Sequence, residues 1–204
     1  NDFLQQKGSA RYDRVIEVPA HRGMITDRNG EPLAVSTPVE SVWASPPDVE
    51  ATAKQVKQLA QIIGLSNEEV KARLFDDSRE FVYLKRQLPP EQAHQVALLG
   101  IPGVSLQCEY RRYYPGGEVT SHLLGFTDVD DNGREGIELA LQSKLGGKAG
   151  SQQVIKDRRG HIIEDVASLR APKEGSDVAL SIDSKIQFLA YREIRQAVEQ
   201  HQAK

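Results

Sequence analysis

Apolar and polar positions along this chain repeat with two different periods, which predicts a protein that combines strands with helices. Alternating or β-branched runs predict strands at residues 14–18, 33–44, 81–84, 104–114, 152–156, 161–166 and 177–182. Apolar residues spaced three and four apart predict helices at residues 48–63, 66–75, 89–99, 118–126 and 133–145. The mixture predicts the α+β class, with one hairpin turning at Arg158–Gly160 and a small α/β segment at 47–100.

Local signals mark the ends of several helices. Ser66 and Glu69 form the pattern of a capping box, and Gly64 is expected to end the helix before it. A long terminal helix is predicted from Ser184, with Ser184 and Gln187 as its capping pair. Its apolar stripe would be exposed unless another part of the protein covered it: Ile186, Leu189, Ala190, Ile194, Ala197 and Val198.

Charged residues crowd a segment near the N-terminus that predicts a tight hairpin. Asn29-Gly30 lies between two apolar stretches and favours a two-residue type I′ turn, in which both residues have positive φ. In that turn Arg28 and Glu31 would face each other across the strands as an ion pair. The same short segment holds further charged or special residues, more than a turn requires: Arg22, Gly23 and Asp27.

Composition describes an ordinary globular protein, with 39% hydrophobic and 27% charged residues and a formal net charge of -3. This charge gives no electrostatic reason to expect nucleic acid as a partner. The single cysteine, Cys108, excludes an internal disulfide. No apolar run approaches the roughly 20 residues of a membrane-spanning helix. Because it begins at Asn1 without methionine and without a signal peptide, the chain is expected to be a trimmed fragment.

One acidic segment, Asp128–Gly133, copies the start of a calcium-binding EF-hand loop. Position twelve of that loop should be a bidentate glutamate, but it is Leu139, and Glu138 falls one place short. The segment therefore favours a turn and a helix N-cap over a calcium site. The five histidines are scattered without a zinc-binding pattern, so neither a metal nor a cofactor is expected.

The residues needed for serine-based acyl transfer are missing from the sequence. One class of acyl-transfer enzymes uses a Ser-x-x-Lys motif, whose lysine lies one helical turn after the nucleophilic serine. No serine in this chain is followed by lysine at that spacing, and neither Ser-x-Asn nor Lys-[Thr/Ser]-Gly occurs. We therefore predict that the chain itself is not an enzyme.

Several motifs follow one another in a fixed order along the chain. Arg22–Gly30 has the form R-G-x-I-x-D-R-x-G, Arg112–Pro115 the form R-x-Y-P, and Gly133–Glu138 the form G-x-x-G-[IL]-E. Lys156–Gly160 and Leu180–Gln187 follow them. Together these motifs resemble the non-catalytic N-terminal module, the pedestal or dimerisation module, of class B penicillin-binding proteins.

The resemblance marks these motif positions as structural or interaction residues: Arg22, Gly23, Asp27, Arg28, Gly30, Arg112, Tyr113, Pro115, Gly133, Gly136, Glu138 and Asp183. Their charged members are expected to form one buried ionic network, which would lock segments of the module together: Arg22, Asp27, Arg28, Arg112 and Glu138. Such networks fix geometry more than they add stability, because burying charge costs solvation energy. Direct contact with a partner is the alternative role.

Within that family, the run His21–Pro38 followed by Val42-Trp-Ala44 resembles the division-specific FtsI type. The resemblance implies an elongated α+β pedestal with three parts: a core at 1–46 and 101–183, an inserted α/β subdomain at 47–100, and a linker helix at 184–204. It also implies a parent protein that is a penicillin-sensitive D,D-transpeptidase of septal peptidoglycan synthesis. The catalytic domain of that parent would lie outside this chain.

The same resemblance implies where the parent works and with what. The module would lie in the periplasm, and a helix missing here would anchor the parent in the inner membrane. Its partners would be the parent's own transpeptidase domain, an FtsW-type septal glycosyltransferase and other divisome proteins.

Two alternatives stay open at this point. One is the equivalent module of an elongation-type enzyme or of a β-lactam sensor. The other is a peptidoglycan-binding module, although aromatic content is only 6% and the sequence shows no aromatic platform.

Overall fold

The computed structural model describes residues 13–76, 78–156 and 162–202 and shows an α+β protein. The strands are β1 (Asp13–Val18), β2 (Ile25–Thr26), β3 (Pro32–Ala44), β4 (Val82–Leu88), β5 (Val104–Tyr113), β6 (Gly150–Lys156), β7 (Ile162–Arg170) and β8 (Val178–Ala179). The helices are α1 (Ala53–Ile63), α2 (Asn67–Leu74), α3 (Pro90–Leu98), α4 (Glu118–Leu124), α5 (Gly136–Ala140), α6 (Gln142–Leu145) and α7 (Ser184–His201). Among the described residues, none of the helices combines the length and apolar character needed to cross a bilayer.

The chain divides into two compact units. Unit 1 consists of the described residues up to Pro19, Pro38–Tyr110 and Ala149–Pro172. Unit 2 consists of Ala20–Thr37, Arg111–Lys148 and the described residues from Lys173 onward. The predicted division into a core (1–46 and 101–183) and an insertion (47–100) stays a prediction. In the structure, residues 38–46 and 101–110 lie in unit 1, because strands in these segments form the sheet against which α1, α2 and α3 pack.

The main core of unit 1 lies between this sheet and the three helices. Strand β3 pairs antiparallel with β4 and also pairs with β5. Alternate residues of β3 and β4 face the helices, and the apolar ones close the core: Val42, Ala44, Val82, Leu84 and Leu88. The helices contribute Val56, Leu59, Ile63, Val70, Leu74 and Val96.

Side-chain caps fix where the first two helices begin. The predicted capping box of Ser66 and Glu69 is confirmed at the start of α2. The helix predicted from residue 48 begins instead at Ala53, because Thr52 and Gln55 form a second capping box and Pro46–Asp48 forms a separate 3-10 turn. Gly64 ends α1 with a φ of 69°, as expected for a glycine in the left-handed conformation.

A second sheet of unit 1 has the strand order β1-β6-β7, with both pairs antiparallel. Val18 lies opposite Gly150 at one end, and Lys156 lies opposite Ile162 at the other. The hairpin predicted from residues 152–156 and 161–166 is therefore confirmed as β6 and β7. Its predicted turn at Arg158–Gly160 lies outside the described residues.

Unit 2 is built around the short strand β2. Ile25 lies opposite Ala34 of β3 in an antiparallel pair and opposite Val178 of β8 in a parallel pair. The core of this unit contains Ile25, Leu33, Ala34, Leu124, Leu145 and Val178.

Several elements of unit 2 are shorter than predicted. Strand β8 covers only Val178–Ala179 rather than 177–182, because its partner β2 is itself only two residues long. The helix predicted at 133–145 divides into α5 and α6 at Leu141, whose φ of -108° interrupts the helical path. Gly125 ends α4 with a φ of 71°, before the predicted end at residue 126.

The cap of α7 also differs from the prediction. Asp183, rather than Ser184, caps this helix, since its carboxylate accepts hydrogen bonds from the N–H groups of Lys185 and Ile186. Ser184 is the first residue of the helix and points its hydroxyl to Asp27.

Candidate functional site

Glu138 is the centre of a buried ion-pair network in unit 2. Its side chain is fully buried, and each carboxylate oxygen meets a different arginine. Arg22 Nε donates to Glu138 Oε2 at 2.8 Å, and Arg112 Nε donates to Oε1 at 2.7 Å. These contacts join residues that are 116 and 26 positions apart in sequence. The network therefore holds the segment before β2, the end of β5 and helix α5 together.

Neutral oxygens accept further N–H groups of both arginines, although Arg112 Nη2 is buried without a hydrogen-bond partner among the described residues. Arg22 Nη1 donates to the Asp131 carbonyl at 3.0 Å and to Gln142 Oε1 at 2.8 Å, while its Nη2 donates to the Glu138 carbonyl at 3.0 Å. Arg112 Nη1 donates to the Ser36 hydroxyl at 3.0 Å. This coordination compensates part of the cost of removing two guanidinium groups from water.

Three of the motif glycines lie where the neighbouring backbone leaves no room for a side chain. A Cβ at Gly133 would collide with the Glu138 carbonyl, and one at Gly136 would collide with the Leu123 carbonyl. Gly136 also has a φ of 57°, which disfavours other residues. At Gly23, a Cβ would collide with the Ser176 carbonyl. These glycines therefore serve packing of the main chain.

Asp27 is buried but does not belong to the arginine network. Its Oδ1 accepts from the N–H groups of Asn29 at 2.7 Å and Glu31 at 2.9 Å. Its Oδ2 accepts from the N–H of Ser184 at 3.0 Å and from the Ser184 hydroxyl at 2.8 Å. The hydrogen bonds from Ser184 are the largest cause that lowers the pKa of Asp27 far below its usual range. The side chain thus joins the hairpin loop to the start of α7.

The opening hairpin is not the predicted type I′ turn. Only Gly30 of the Asn29-Gly30 pair has a positive φ, at 86°. The Gly30 N–H donates to the Asp27 carbonyl, and the Asp27 N–H donates to the Glu31 carbonyl, as in a three-residue loop with glycine in the left-handed position. Arg28 is therefore exposed within the loop, and within the described chain it forms neither the predicted pair with Glu31 nor a contact with the buried network.

The acidic segment at Asp128 forms a loop with the same hydrogen-bond pattern. Asp128 Oδ1 accepts from the N–H groups of Asp130 and Asn132, and the Asp128 N–H donates to the Asn132 carbonyl. Asp131 takes the left-handed position, with a φ of 61°. The predicted turn is confirmed, but the predicted N-cap is wrong, because Glu135 precedes α5 without a side-chain cap. Among the described residues, no cluster of His, Cys, Asp and Glu is arranged to hold a metal.

Asp131 is a second acidic residue close to Arg22 and Arg112. Its Oδ1 is buried without a hydrogen-bond partner among the described residues. Burial raises the pKa of Asp131 to about 6, although Arg22 and Arg112 act in the opposite direction. The Asp131 carboxyl group, which lies beside the buried arginines, therefore changes its charge near pH 6.

Other predicted site residues lie outside this network. Tyr113 and Pro115 are exposed beyond Arg112, and Gly30 is exposed at the hairpin tip. Asp183 caps α7, and its Oδ2 accepts a hydrogen bond from Asn29 Nδ2 at 3.0 Å. Of the five charged residues predicted to share one network, the structure brings three together.

Four hydrogen-bond partners of Arg22, Arg112 and Asp27 were not predicted from the sequence: Ser36, Asp131, Gln142 and Ser184. Gln142 carries a usable signal, because it lies four residues after Glu138, the spacing of neighbours on a helix surface. Its Oε1 also accepts the Gly133 N–H at 2.8 Å. Ser36 and Ser184 carry no such signal, since their partners are distant in sequence.

Comparison with known proteins identifies the architecture that these contacts stabilise. The family model described as the penicillin-binding protein dimerisation domain matches residues 17–180. The chain belongs to this family. The matched range includes Arg22, Arg112 and Glu138, and also the loops at Asp27 and Asp128.

Two relatives show the kind of protein in which such a domain occurs. The peptidoglycan D,D-transpeptidase FtsI of Escherichia coli is 43% identical over 203 residues, which cover 97% of this chain and 34% of the relative. The probable peptidoglycan D,D-transpeptidase PenA of Neisseria meningitidis is 40% identical over 207 residues, covering 100% of this chain and 36% of the relative. The chain thus spans about a third of the length of these relatives.

A solved structure shows the same fold at lower sequence identity. The complex between a penicillin-binding protein (PBP2) and MreC from Helicobacter pylori matches with a TM-score of 0.65 and 20% identity. The match covers 90% of this chain and 39% of the solved chain. The fold of the dimerisation domain is therefore that of class B penicillin-binding proteins.

Proposed function

We propose that this chain is the non-catalytic pedestal module of a septal peptidoglycan D,D-transpeptidase. The similarity to E. coli FtsI over 97% of the chain is the observation that carries the proposal. The module would perform no acyl transfer, because its sequence lacks Ser-x-x-Lys and the other elements of that chemistry. A transpeptidase domain elsewhere in the parent would carry the catalytic serine.

The buried network supports a positioning role. Two arginines and one glutamate fix three segments of unit 2 at one point, and Asp27 fixes the start of α7. The residues 184–204 would act as the link to the transpeptidase domain. Because none of the α7 side chains is buried, its apolar side chains are available for contact with that domain.

Protein partners follow from the same proposal. The solved PBP2–MreC complex supports the idea that this fold binds other proteins of the cell-wall machinery. For this chain the partners would be an FtsW-type septal glycosyltransferase and other divisome proteins. The module would lie in the periplasm, and a separate helix would anchor the parent in the inner membrane.

Two measurements test this function. The purified chain, incubated with a labelled penicillin, is expected to remain unlabelled, while a longer chain with the catalytic domain becomes acylated. The tagged chain is expected to retain an FtsW-type glycosyltransferase from detergent extracts. Acylation of the short chain would contradict the non-catalytic role. Retention of an elongation-type glycosyltransferase in preference to the FtsW type would assign the module to the elongation alternative.

A further inference from the structure

Two Asn-Gly pairs, Asn29-Gly30 and Asn132-Gly133, occur in this chain. Asparagine deamidates most readily before glycine, because glycine has no side chain to hinder attack of its main-chain nitrogen on the asparagine side chain. The structure places the two pairs in contrasting surroundings. It therefore distinguishes a pair that can react from a pair that is protected.

The first pair lies at the open tip of the hairpin loop. Asn29 and Gly30 are both exposed. Among the described residues, no atom beyond its chain neighbours lies within 4 Å of the place that a Cβ at Gly30 would take. The Gly30 N–H donates to the Asp27 carbonyl at 3.1 Å, and Asn29 Nδ2 donates to Asp183 Oδ2 at 3.0 Å. When these bonds open, the Gly30 nitrogen has free space in which to approach the Asn29 side chain.

The second pair is tied into the buried arginine network. Asn132 is exposed, but Gly133 is buried. The Gly133 N–H donates to Gln142 Oε1 at 2.8 Å, and the same oxygen accepts from Arg22 Nη1. The Glu138 carbonyl occupies the space beside Gly133 where a Cβ would lie. The Gly133 nitrogen can therefore attack Asn132 only after buried structure has opened, which costs free energy.

We propose that Asn29 is a site of spontaneous deamidation and that the fold protects Asn132 from the same reaction. The Gly30 nitrogen forms a bond to Asn29 Cγ, the bond between Cγ and Nδ2 breaks, and ammonia leaves with the proton that the Gly30 nitrogen has lost. Water then adds to one of the two carbonyl groups of this succinimide ring and opens it to aspartate or isoaspartate. The sequence of steps needs no oxidant or reductant. At neutral pH the loop gains one negative charge.

Deamidation at this position acts on the junction between the hairpin loop and helix α7. Asn29 Nδ2 is the donor to Asp183, which caps α7, and it also lies 3.4 Å from Asp27 Oδ2. An aspartate at position 29 has no such donor and adds a third carboxylate beside these two, so that like charges repel. Isoaspartate also lengthens the main chain of the loop by one methylene group. The modification is therefore expected to loosen the first turn of α7.

Peptide mapping by mass spectrometry tests the site. In the folded chain, incubated in mildly alkaline buffer, conversion to aspartate and isoaspartate should be about tenfold or more faster at Asn29 than at Asn132. In urea, where both pairs are unfolded, the two rates should become similar. Equal rates in the folded chain, or faster conversion at Asn132, would overturn the proposal. A difference of about tenfold that persisted in urea would contradict protection by the fold.

Amide hydrogen exchange tests the consequence for α7. Asn29→Asp should speed exchange at Ser184 and Lys185 by about tenfold, as expected for the loss of a hydrogen bond to a charged group. Arg28→Gln is the matched control, because it makes the same loop more negative by one charge and leaves the Asn29 side chain in place. Its effect on these rates should be much smaller.

Asn29→Gln separates deamidation from other effects of storage. After the same incubation, the wild-type chain should show faster exchange at the start of α7, while Asn29→Gln should keep the rates of the fresh protein. Unchanged exchange in Asn29→Asp would contradict the coupling to α7. These measurements use neither a penicillin nor a cell-wall partner, so the inference and the proposed function fail separately.

Discussion

At the scale of single residues, Glu138 supplies the carboxylate that neutralises the buried arginines, because it accepts hydrogen bonds from both Arg22 and Arg112. Its removal would leave two guanidinium groups in the protein interior without their carboxylate. The reverse change, loss of one arginine, leaves Glu138 with half of its partners. In both cases a charged group stays buried without its partner, so the free energy lost on removing it from water is no longer offset.

We expect Arg112→Ala and Glu138→Gln each to lower the free energy of unfolding by about 3–5 kcal/mol, as for other buried ion pairs that lose one partner. Urea denaturation followed by circular dichroism measures this change. Arg195→Ala is the control, because its exposed pair with Glu199 is screened by solvent and contributes little to stability. An unchanged melting temperature in Arg112→Ala would contradict a locking role for the network.

Asp131 gives a prediction with a defined pH dependence. Its pKa is raised to about 6 in the folded protein, so the folded state binds its proton more tightly than the unfolded state, and this group destabilises the fold as pH rises from about 4 to about 6. Asp131→Asn removes that penalty and keeps a residue that tolerates positive φ. We expect it to stabilise the protein by about 1–2 kcal/mol at pH 7.5 and by almost nothing at pH 4.

Thermal melts between pH 4 and pH 8 check this expectation. Glu135→Gln, which removes an exposed carboxylate just before α5, is the matched control for the loss of one negative charge. A stabilisation by Asp131→Asn that was equal at all pH values would point to relief of backbone strain instead of charge burial.

At the scale of elements, the loop at Asp27 and the start of helix α7 form one hydrogen-bonded unit. The Arg28 N–H donates to the Ile182 carbonyl at 2.9 Å, and the Asp27 carboxylate takes both donors of Ser184. Helix α7 has no buried side chain of its own. Its position is therefore fixed by polar contacts, those of its first turn with the Asp27 loop and those of Gln187 and Tyr191 with α4.

Asp27→Asn should loosen that first turn, because an amide has only one oxygen and cannot accept the hydrogen bonds that both carboxylate oxygens accept. Amide hydrogen exchange is expected to become faster at Ser184 and in the hairpin loop, while α1 and α2 keep their rates. Since the pKa of Asp27 is lowered by folding, its stabilisation is present above the usual aspartate pKa and is lost as pH falls below it. The variant and the wild type should therefore converge in acid.

The sequence allowed most elements to be predicted, and the misses have physical causes. The capping box at Ser66 is a local signal, so it was predicted correctly. Asn29-Gly30 is compatible with two kinds of hairpin loop, and the observed one depends on Asp27 and on a contact with Ser184, 157 residues away. The contact between Trp43 and Phe81 was not predicted, because these residues are 38 positions apart in sequence and meet only through the β3–β4 register.

For the molecule as a whole, helix α7 exposes a series of apolar side chains. Five of them keep between 44% and 65% of their area exposed: Ile186, Phe188, Leu189, Ile194 and Val198. Surfaces of this kind mark contacts with another domain or protein.

We therefore expect the isolated chain to self-associate more than a longer chain in which the transpeptidase domain follows α7. Sedimentation velocity measures this difference. Ile186→Glu together with Ile194→Glu should reduce self-association, while Leu98→Glu, an equally exposed position on α3, should not. Equal self-association and equal stability of the short and long chains would argue against a covered face.

The tight packing at Gly133 has an evolutionary consequence. Its Cα lies so close to the Glu138 carbonyl that no other residue fits, while the Glu138 carboxylate is held by two arginines. Main-chain space and side-chain charge thus constrain the same short motif independently. A substitution at Gly133 causes a steric clash, and a substitution at Glu138 leaves two buried arginines without a carboxylate. A substitution within the motif therefore needs compensating changes in its surroundings, at the main chain for Gly133 and at the arginines for Glu138.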